Sequence, residues 1–257
     1  MKLLDRAAIV TGAAGGIGGA IARCFAREGA HVCLVDVQST AEVAKEVRAE
    51  KRRAIEVSAD VSDGAQVHEV VRKTLESFER IDVLVNAAGI PSFGATQTLT
   101  ETEWDRVLAI NLKSVFLLSQ AVLPSMRARR YGRIVNIGSV VGKNGGNAQP
   151  WINRSDQDKA VNIAYGVSKA GVHALTIFLA KEVGAEGITV NAVAPGPVAV
   201  PRRAKGVPLP ESLVSRIPVG RVGRVEEIAE AVLFLAGETA GFVTAEILDV
   251  NGGLWGD

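Results

Sequence analysis

The 257-residue sequence has few of the residues that mark disulfide-rich, metal-binding or strongly charged proteins. Cys24 and Cys33 are its two cysteines and lack the C-x-x-C spacing of a redox or zinc site, so we interpret both as buried packing residues. The three histidines, His31, His68 and His173, stand far apart, and we predict no metal site. Basic and acidic residues nearly cancel at 29 and 28, which excludes a whole-chain field that attracts nucleic acid or a membrane surface.

We also expect the sequence to lack long apolar runs. The first ten residues, MKLLDRAAIV, contain no apolar region typical of a signal peptide, and we expect no later run to approach the length of a membrane span. We therefore expect a cytoplasmic protein with no membrane or nucleic-acid partner, whose partners are small molecules or copies of itself.

What the sequence does contain is a regular alternation of strand and helix patterns. Short β-branched runs at 7–12, 31–37, 53–60, 81–89, 132–139, 187–196 and 246–253 predict seven strands. Helical apolar spacing occupies 17–28, 41–50, 63–79, 102–129, 163–185 and 225–237. This alternation predicts an α/β fold: a single-domain, Rossmann-type, doubly wound parallel sheet of about seven strands with helices on both faces, over residues 1–257.

A glycine-rich turn, TGAAGGIG at 11–18, follows the first predicted strand and opens the first predicted helix. Gly12 permits a tight turn, Gly16 lets the backbone approach a pyrophosphate, and Gly18 lets the helix pack close to the strand. Asp36 ends the next strand, about 20 residues on, where a carboxylate binds the adenosine ribose. Its charge would repel the additional phosphate of NADP, so the predicted cofactor is NAD.

Several further motifs occur in register with this turn. Residues 86–89 read NAAG, residues 165–169 read YGVSK, Ser139 ends the fifth predicted strand, and a Pro-Gly pair at 195–196 ends the sixth. Together these motifs resemble the short-chain dehydrogenase/reductase family over nearly the whole chain. The Y-x-x-x-K pattern alone is common, and its combination with the other motifs carries the resemblance.

The resemblance implies a set of site residues and an assembly. The implied catalytic residues are Asn111, Ser139, Tyr165 and Lys169. The implied cofactor-binding residues are Gly12, Ala14, Gly15, Gly16, Ile17, Gly18, Asp36, Asp60, Val61, Asn86, Ala87, Gly89, Tyr165, Lys169, Pro195, Gly196 and Val198. The family usually forms tetramers, so we expect a homotetramer to which residues 246–257 contribute.

The expected chemistry is hydride transfer between a nicotinamide and a secondary alcohol or ketone. Tyr165 and Lys169 lie four residues apart on a predicted helix, so their side chains share one face. An ordinary tyrosine, with a pKa of about 10, is a poor base near neutrality, and nearby positive charge favours its phenolate. Tyr165 is thus the expected acid/base, and Ser139 orients and polarises the substrate oxygen. By resemblance, Lys169 also binds the nicotinamide ribose and Asn111 holds a proton-relay water.

Two departures from the family pattern concern the substrate side. The interval from Ser139 to Tyr165 is 26 residues, about twice the usual length, which predicts an insertion near 143–161 over the substrate mouth. This insertion either contacts the substrate through Trp151, Ile152 and Arg154 or is an inert surface excursion. Val200 stands where many relatives have a threonine that binds the carboxamide. A predicted lid near 197–218 is either anion-binding or solvated; its basic residues are Arg202, Arg203 and Lys205.

A generic NAD-dependent alcohol dehydrogenase or ketoreductase ranks first among the functions that these motifs suggest. The alternative is a 3-oxoacyl-acyl-carrier-protein reductase, which the segment RRYGRIVNIGSVVG resembles and in which Arg129 and Arg130 would face a carrier. Against it stand Asp36, since that subgroup usually prefers NADPH, and Glu186, where carrier-binding members tend to have a basic residue. A non-catalytic NAD(H)-binding sensor would not need the catalytic set, and a nucleotide-sugar epimerase is longer and has a different glycine spacing.

Overall fold

A parallel sheet of seven strands forms the centre of the chain in the computed structural model, which describes residues 1–146, 162–200 and 211–256. Its strands are β1 (Ala7–Thr11), β2 (His31–Asp36), β3 (Ala54–Ser58), β4 (Val83–Asn86), β5 (Gly132–Ile137), β6 (Ile188–Pro195) and β9 (Ile247–Val250). Two short strands, β7 (Val198–Ala199) and β8 (Gly223–Arg224), pair with each other. The sheet order is β3-β2-β1-β4-β5-β6-β9, so the chain reverses its direction of winding between β1 and β4. The predicted doubly wound fold is confirmed, and this switch point is where folds of this kind place their ligand crevice.

Helices cover both faces of the sheet. They are α1 (Gly16–Arg27), α2 (Ala41–Ala49), α3 (Gly64–Phe78), α4 (Glu101–Leu108), α5 (Ser114–Arg129), α6 (Val141–Asn144), α7 (Ile163–Val183), α8 (Glu211–Val214) and α9 (Val225–Ala236). The single helix predicted over 102–129 is interrupted by a π-helix at Ala109–Lys113, which the apolar spacing does not reveal.

Two apolar layers hold the helices to the sheet. Along β1, Ala8 and Val10 face a layer that contains residues of α1, α2 and α9, whereas Ala7 and Ile9 face a layer with residues of α3, α5 and α7. Every residue of β5 and β6 is buried. Strands covered on both faces account for the continuous apolar runs in the sequence. All three described ranges contribute to this assembly, and the single domain over 1–257 stays a prediction.

Two helical stretches are long and apolar enough to cross a membrane: Glu101–Arg129 and Ile163–Glu186. The sequence-based expectation that no apolar run approaches this length is therefore wrong. Length and composition do not distinguish a membrane span from a core helix. Both stretches here pack against the sheet and carry side chains of the site described below.

A cluster of charged side chains links the segments that precede β1 and β4, at the amino-terminal ends of the strands. The fully buried carboxylate of Asp82 accepts hydrogen bonds from the Ala7 backbone N–H (2.9 Å) and Arg80 (2.6 Å), and its oxygen lies 3.5 Å from the Arg6 guanidinium. The Arg6 guanidinium also stacks on the ring of Tyr131, 4.2 Å from its centroid. This end of the sheet lies opposite the crevice, because the glycine turn follows the carboxyl end of β1.

Candidate active site

The glycine turn leaves backbone room and backbone donors for a phosphate. Gly12 and Gly16 have φ values of +66° and +55°, a region that side chains disfavour. A Cβ at Gly18 would lie 2.3 Å from the Gly12 carbonyl oxygen, so only glycine allows α1 to pack this close to β1. Helix α1 begins at Gly16 without a side-chain cap from Gly15, which leaves its first N–H groups available to an anion. A pyrophosphate fits this turn.

Asp36 lies beside the turn, at the end of β2. Its carboxylate accepts hydrogen bonds from the backbone N–H groups of Ala14 (3.0 Å) and Gln38 (2.9 Å), which fix its orientation at the crevice edge. A carboxylate has about four acceptor positions, so it retains capacity for the two hydroxyls of a ribose. The half-buried Asp36 side chain thus fits the predicted ribose contact.

The segment after β3 places Asp60 and Val61 at the same edge of the sheet. The Ala59 N–H donates to the Asp36 carbonyl oxygen (3.2 Å), which joins the two strand ends. Asp60 Oδ1 accepts from the Ser62 backbone N–H (2.9 Å) and hydroxyl (2.7 Å), so this carboxylate orders its own turn. Val61 is buried. The adenine contact implied for this pair stays a prediction.

Thr11 fixes the start of the NAAG segment, a role that the sequence analysis missed. Its Oγ1 accepts hydrogen bonds from the backbone N–H groups of Ala87 and Ala88, both at 3.0 Å. Asn86 Nδ2 donates to Asn136 Oδ1 on β5 (2.8 Å). A polar residue that ends an otherwise apolar strand was the available signal for Thr11, because a buried hydroxyl requires a partner.

Asn111 lies in the π-helix and is completely buried. Its Nδ2 donates to the Ile90 carbonyl oxygen (3.0 Å) and to Ser168 Oγ (3.1 Å), and its Oδ1 accepts from the Ile90 N–H (2.8 Å). The amide therefore joins the loop after β4 to α7. Both side-chain N–H groups of Asn111 are committed to protein oxygens. The relay water implied by the family resemblance stays a prediction.

Helix α7 carries Tyr165 and Lys169 on one face. Lys169 is 5% exposed, its Nζ donates to the Ile137 carbonyl oxygen (2.7 Å), and Nζ lies 5.9 Å from the centroid of the Tyr165 ring. Burial lowers the pKa of Lys169 to about 8. A Cβ at Gly89 would lie 3.5 Å from this Nζ and 3.4 Å from Asn111 Oδ1, so Gly89 keeps the space between the two side chains open.

Ser139 follows β5 and is 6% exposed. Its Oγ accepts a hydrogen bond from the Val141 N–H (3.2 Å), and its own backbone N–H donates to His173 Nε2 (3.3 Å). His173 also lies on α7, four residues after Lys169. The sequence analysis assigned His173 no part in the site, because an isolated histidine carries no spacing signal.

The Pro195-Gly196 turn ends β6 at the same edge of the sheet. The Gly196 N–H donates to the Val250 carbonyl oxygen (3.0 Å), and a Cβ at Gly196 would lie 2.8 Å from the Asn251 Cα. Val198 is buried, and beyond it the side chain of Val200 approaches the glycine turn: a Cβ at Gly16 would meet Val200 Cγ1 at 3.1 Å. The predicted nicotinamide-side residues therefore lie next to the predicted pyrophosphate turn.

Comparison with known proteins identifies the family. A family model described as enoyl-(acyl carrier protein) reductase matches residues 12–255. The 3-oxoacyl-[acyl-carrier-protein] reductase FabG of Thermotoga maritima is 39% identical to the chain, over 99% of both sequences. The chain belongs to the short-chain dehydrogenase/reductase family.

Two further relatives are named for a coenzyme A derivative and for an acyl-carrier-protein substrate. The (2S)-[(R)-hydroxy(phenyl)methyl]succinyl-CoA dehydrogenase subunit BbsD of Thauera aromatica is 39% identical over 98% of both sequences. The 3-oxoacyl-[acyl-carrier-protein] reductase FabG of Escherichia coli is 37% identical over 99% of both. As a short-chain dehydrogenase/reductase, the protein is an oxidoreductase of a family that binds a nicotinamide dinucleotide.

The substrate-side predictions fall largely outside the described residues. Residues 147–161 of the predicted insertion and residues 201–210 of the predicted lid are not among them. The same holds for Trp151, Ile152, Arg154, Arg202, Arg203 and Lys205. The residues predicted to be catalytic lie on neighbouring elements: Ser139 on the segment after β5, Asn111 in the π-helix, and Tyr165 and Lys169 on α7.

Proposed function

We propose that this protein is an NAD(H)-dependent oxidoreductase that interconverts a secondary alcohol and a ketone. The observation that carries the proposal is the buried Lys169 ammonium, one helical turn from Tyr165 and 5.9 Å from its ring. Burying an ammonium costs free energy, as its lowered pKa indicates, and a buried charge beside an ionisable side chain is characteristic of active sites. Stabilising a phenolate is one use of such a charge.

The side chains divide the proposed reaction between them. Nicotinamide, when bound, accepts or donates the hydride. Tyr165 removes the proton from the alcohol oxygen in one direction and returns it to the carbonyl oxygen in the other. The Ser139 hydroxyl donates a hydrogen bond to the same oxygen and stabilises the negative charge that develops there. Lys169 has three N–H donors, one of which goes to Ile137, so it retains donors for the nicotinamide ribose.

NAD rather than NADP is the proposed cofactor because of Asp36. Its carboxylate is held at the edge of the glycine turn by Ala14 and Gln38, where it accepts ribose hydroxyls. A phosphate on that ribose would bring two negative groups together, which is unfavourable. Neither Gly15 nor Val37 supplies an arginine that could offset this repulsion.

Acyl thioesters are the substrate class that the relatives favour. Their names pair a ketone or alcohol with a carrier protein or with coenzyme A. A 3-oxoacyl-acyl-carrier-protein reductase is therefore the second candidate, supported by 37–39% identity to such enzymes over nearly the whole chain. Against carrier binding, Arg127 pairs with Glu186 at 2.7 Å, and Arg130 donates to the Ala185 carbonyl oxygen. These contacts neutralise or occupy part of the basic surface that a carrier would need.

The test is turnover by the purified protein with acetoacetyl-CoA, an acetoacetyl carrier protein and simple ketones, each with NADH and NADPH. Tyr165→Phe should reduce kcat by at least about 100-fold, because it removes the acid/base. Tyr131→Phe is the matched control, since Tyr131 is the other tyrosine and lies at the opposite end of the sheet. Tight NADH binding without turnover of any alcohol or ketone would instead support the sensor alternative.

We also propose a cytoplasmic homotetramer. Phe116 on α5 and Phe178 on α7 are exposed, and Leu108, Leu112 and Phe116 line an open apolar depression. Apolar side chains at such a surface are favourably buried against another subunit. Sedimentation of the purified protein should give a mass near four chains; a monomer across the assay concentrations would contradict the proposal.

A further inference from the structure

Beyond the predicted catalytic residues, His173 contacts the backbone of Ser139. The imidazole is 8% exposed, and its Nε2 accepts the Ser139 N–H at 3.3 Å. In a neutral imidazole one nitrogen donates and the other accepts, so this contact requires the tautomer with its proton on Nδ1. The hydrogen bond joins the serine to the same helix that carries Tyr165 and Lys169.

The position of this hydrogen bond follows from the end of strand β4. Gly138 and Val140 donate their N–H groups to Val193 and Pro195 on the β6 side. In a parallel strand, the intervening residues turn their backbone groups towards the other neighbour, which here is β4. Strand β4 ends at Asn86, so the groups beyond it need other partners.

Helix α7 supplies both partners. Lys169 Nζ donates to the Ile137 carbonyl oxygen at 2.7 Å, and His173 Nε2 accepts the Ser139 N–H. The two side chains are one helical turn apart and bind backbone groups two residues apart, at the end of β5 and just after it. Side chains of α7 therefore bind the backbone groups around Ser139 that β4 would bind if it continued beyond Asn86.

Two glycines make room for the imidazole. A Cβ at Gly138 would lie 2.2 Å from His173 Nε2, and a Cβ at Gly142 would lie 3.1 Å from Cε1 of the same ring. The glycine at 142 also lets the segment approach α7, since a Cβ there would be 2.7 Å from the Ala170 nitrogen. The backbone on both sides of Ser139 is thus shaped around the His173 ring.

We propose that His173 is a positioning residue that acts through Ser139. A substrate oxygen must lie within hydrogen-bond distance of both the Ser139 hydroxyl and the Tyr165 phenol. The first side chain belongs to the segment after β5 and the second to α7, so a direct bond between the two elements sets the distance between the two hydroxyls. This inference rests on the proposed function, because it assigns a part in the same reaction.

The kinetic test compares His173→Leu, which removes the acceptor, with His173→Gln, whose side-chain oxygen can occupy the Nε2 position. His173→Leu should lower kcat about 10- to 100-fold, the size of effect expected from a displacement of about 1 Å. The Kd of NADH should change less than about twofold, and His173→Gln should recover most of the loss. If the leucine variant does not fold, His173→Asn replaces it, because the shorter amide cannot reach Ser139.

A double-mutant cycle separates positioning from a general loss of structure. In a Ser139→Ala background, His173→Leu should change the residual kcat less than about threefold, because the group that His173 positions is absent. An equal loss of kcat in both backgrounds would overturn the proposal, as would unchanged kcat in His173→Leu or a failure of glutamine to restore activity.

Amide hydrogen exchange tests the contact without turnover, so it distinguishes failure of this inference from failure of the proposed function. The Ser139 amide should exchange at least about tenfold faster in His173→Leu than in the wild type and regain protection in His173→Gln. The Val140 amide, which donates to Pro195 at 3.0 Å, is the internal control and should be unchanged. Equal acceleration at both amides, or at neither, would overturn the proposed link.

Discussion

Replacing Lys169 with methionine is expected to abolish turnover and to change how the stability of the protein depends on pH. The ammonium is buried, and desolvation lowers its pKa from the usual 10.5 to about 8. Methionine has a similar length and no charge, so the variant removes the titrating group and keeps most of the packing. Under the proposed mechanism, activity is lost because the phenol of Tyr165 and the nicotinamide ribose lose their cationic neighbour.

The magnitude follows from the two pKa values. Between pH 8 and 10.5 the unfolded chain still carries the proton on Lys169, whereas the folded protein has released it. The free energy of unfolding therefore rises with pH across this window, by about 1.36 kcal/mol for each pH unit, or about 3 kcal/mol in all. Below pH 8 both states are protonated, and the folded state bears the full cost of burying the charge.

The assay is urea unfolding of the protein without cofactor at several values between pH 7 and 10.5. The wild type should gain about 3 kcal/mol over Lys169→Met between these limits, while groups common to both proteins cancel. Loss of the hydrogen bond to Ile137 adds a constant difference of about 1 to 3 kcal/mol. Lys181→Met, at an exposed position on the same helix, should show no such slope. A flat difference for Lys169→Met would refute the reasoning.

Two further substitutions test the cofactor turn and the opposite end of the sheet. Gly18→Ala should reduce NADH affinity at least about tenfold, because its Cβ would lie 2.3 Å from the Gly12 carbonyl oxygen; Gly19→Ala, whose Cβ meets the flexible end of a side chain, should cost far less. Equal NADH affinities of the two variants in fluorescence titrations would contradict the proposed role of Gly18 in the cofactor turn. Asp82→Ala should lower the free energy of unfolding by about 3 kcal/mol with kcat within about twofold, because it leaves two guanidinium groups without their buried carboxylate. Glu69→Ala, at a solvent-accessible ion pair, should cost much less in the same urea titrations, because solvent screens that pair, and similar losses in both variants would count against the buried cluster.

The sequence predicts the fold and the positions of the site residues because both depend on local patterns. Seven apolar runs separated by amphipathic stretches lead to a seven-stranded parallel sheet. The glycine turn has a backbone angle at Gly12 and a close packing at Gly18 that favour glycine. The residues proposed to be catalytic are predicted by spacing and by family resemblance. Their placement at one sheet edge follows from the topology, since strands of a parallel sheet end at the same side.

Contacts between distant segments could not be predicted in the same way. The π-helix at Ala109–Lys113 turns Asn111 towards Ile90 and Ser168, yet the apolar spacing is that of one continuous helix. The bond between His173 and Ser139 depends on where β4 ends, which strand patterns fix only to within a few residues. Sequence alone does not report such partners.

Cofactor preference tests the central claim most directly. Affinities of the wild type for NADH and NADPH are measured by fluorescence titration, with Asp36→Ala beside it. At an effective dielectric constant of about 20, two unit charges about 4 Å apart interact by about 4 kcal/mol, and even partial screening leaves the roughly 1.4 kcal/mol that corresponds to a tenfold preference. We predict at least about tenfold tighter binding of NADH by the wild type and a ratio near one in the variant. Equal or tighter binding of NADPH by the wild type would contradict the account and favour the carrier-protein-linked reductase.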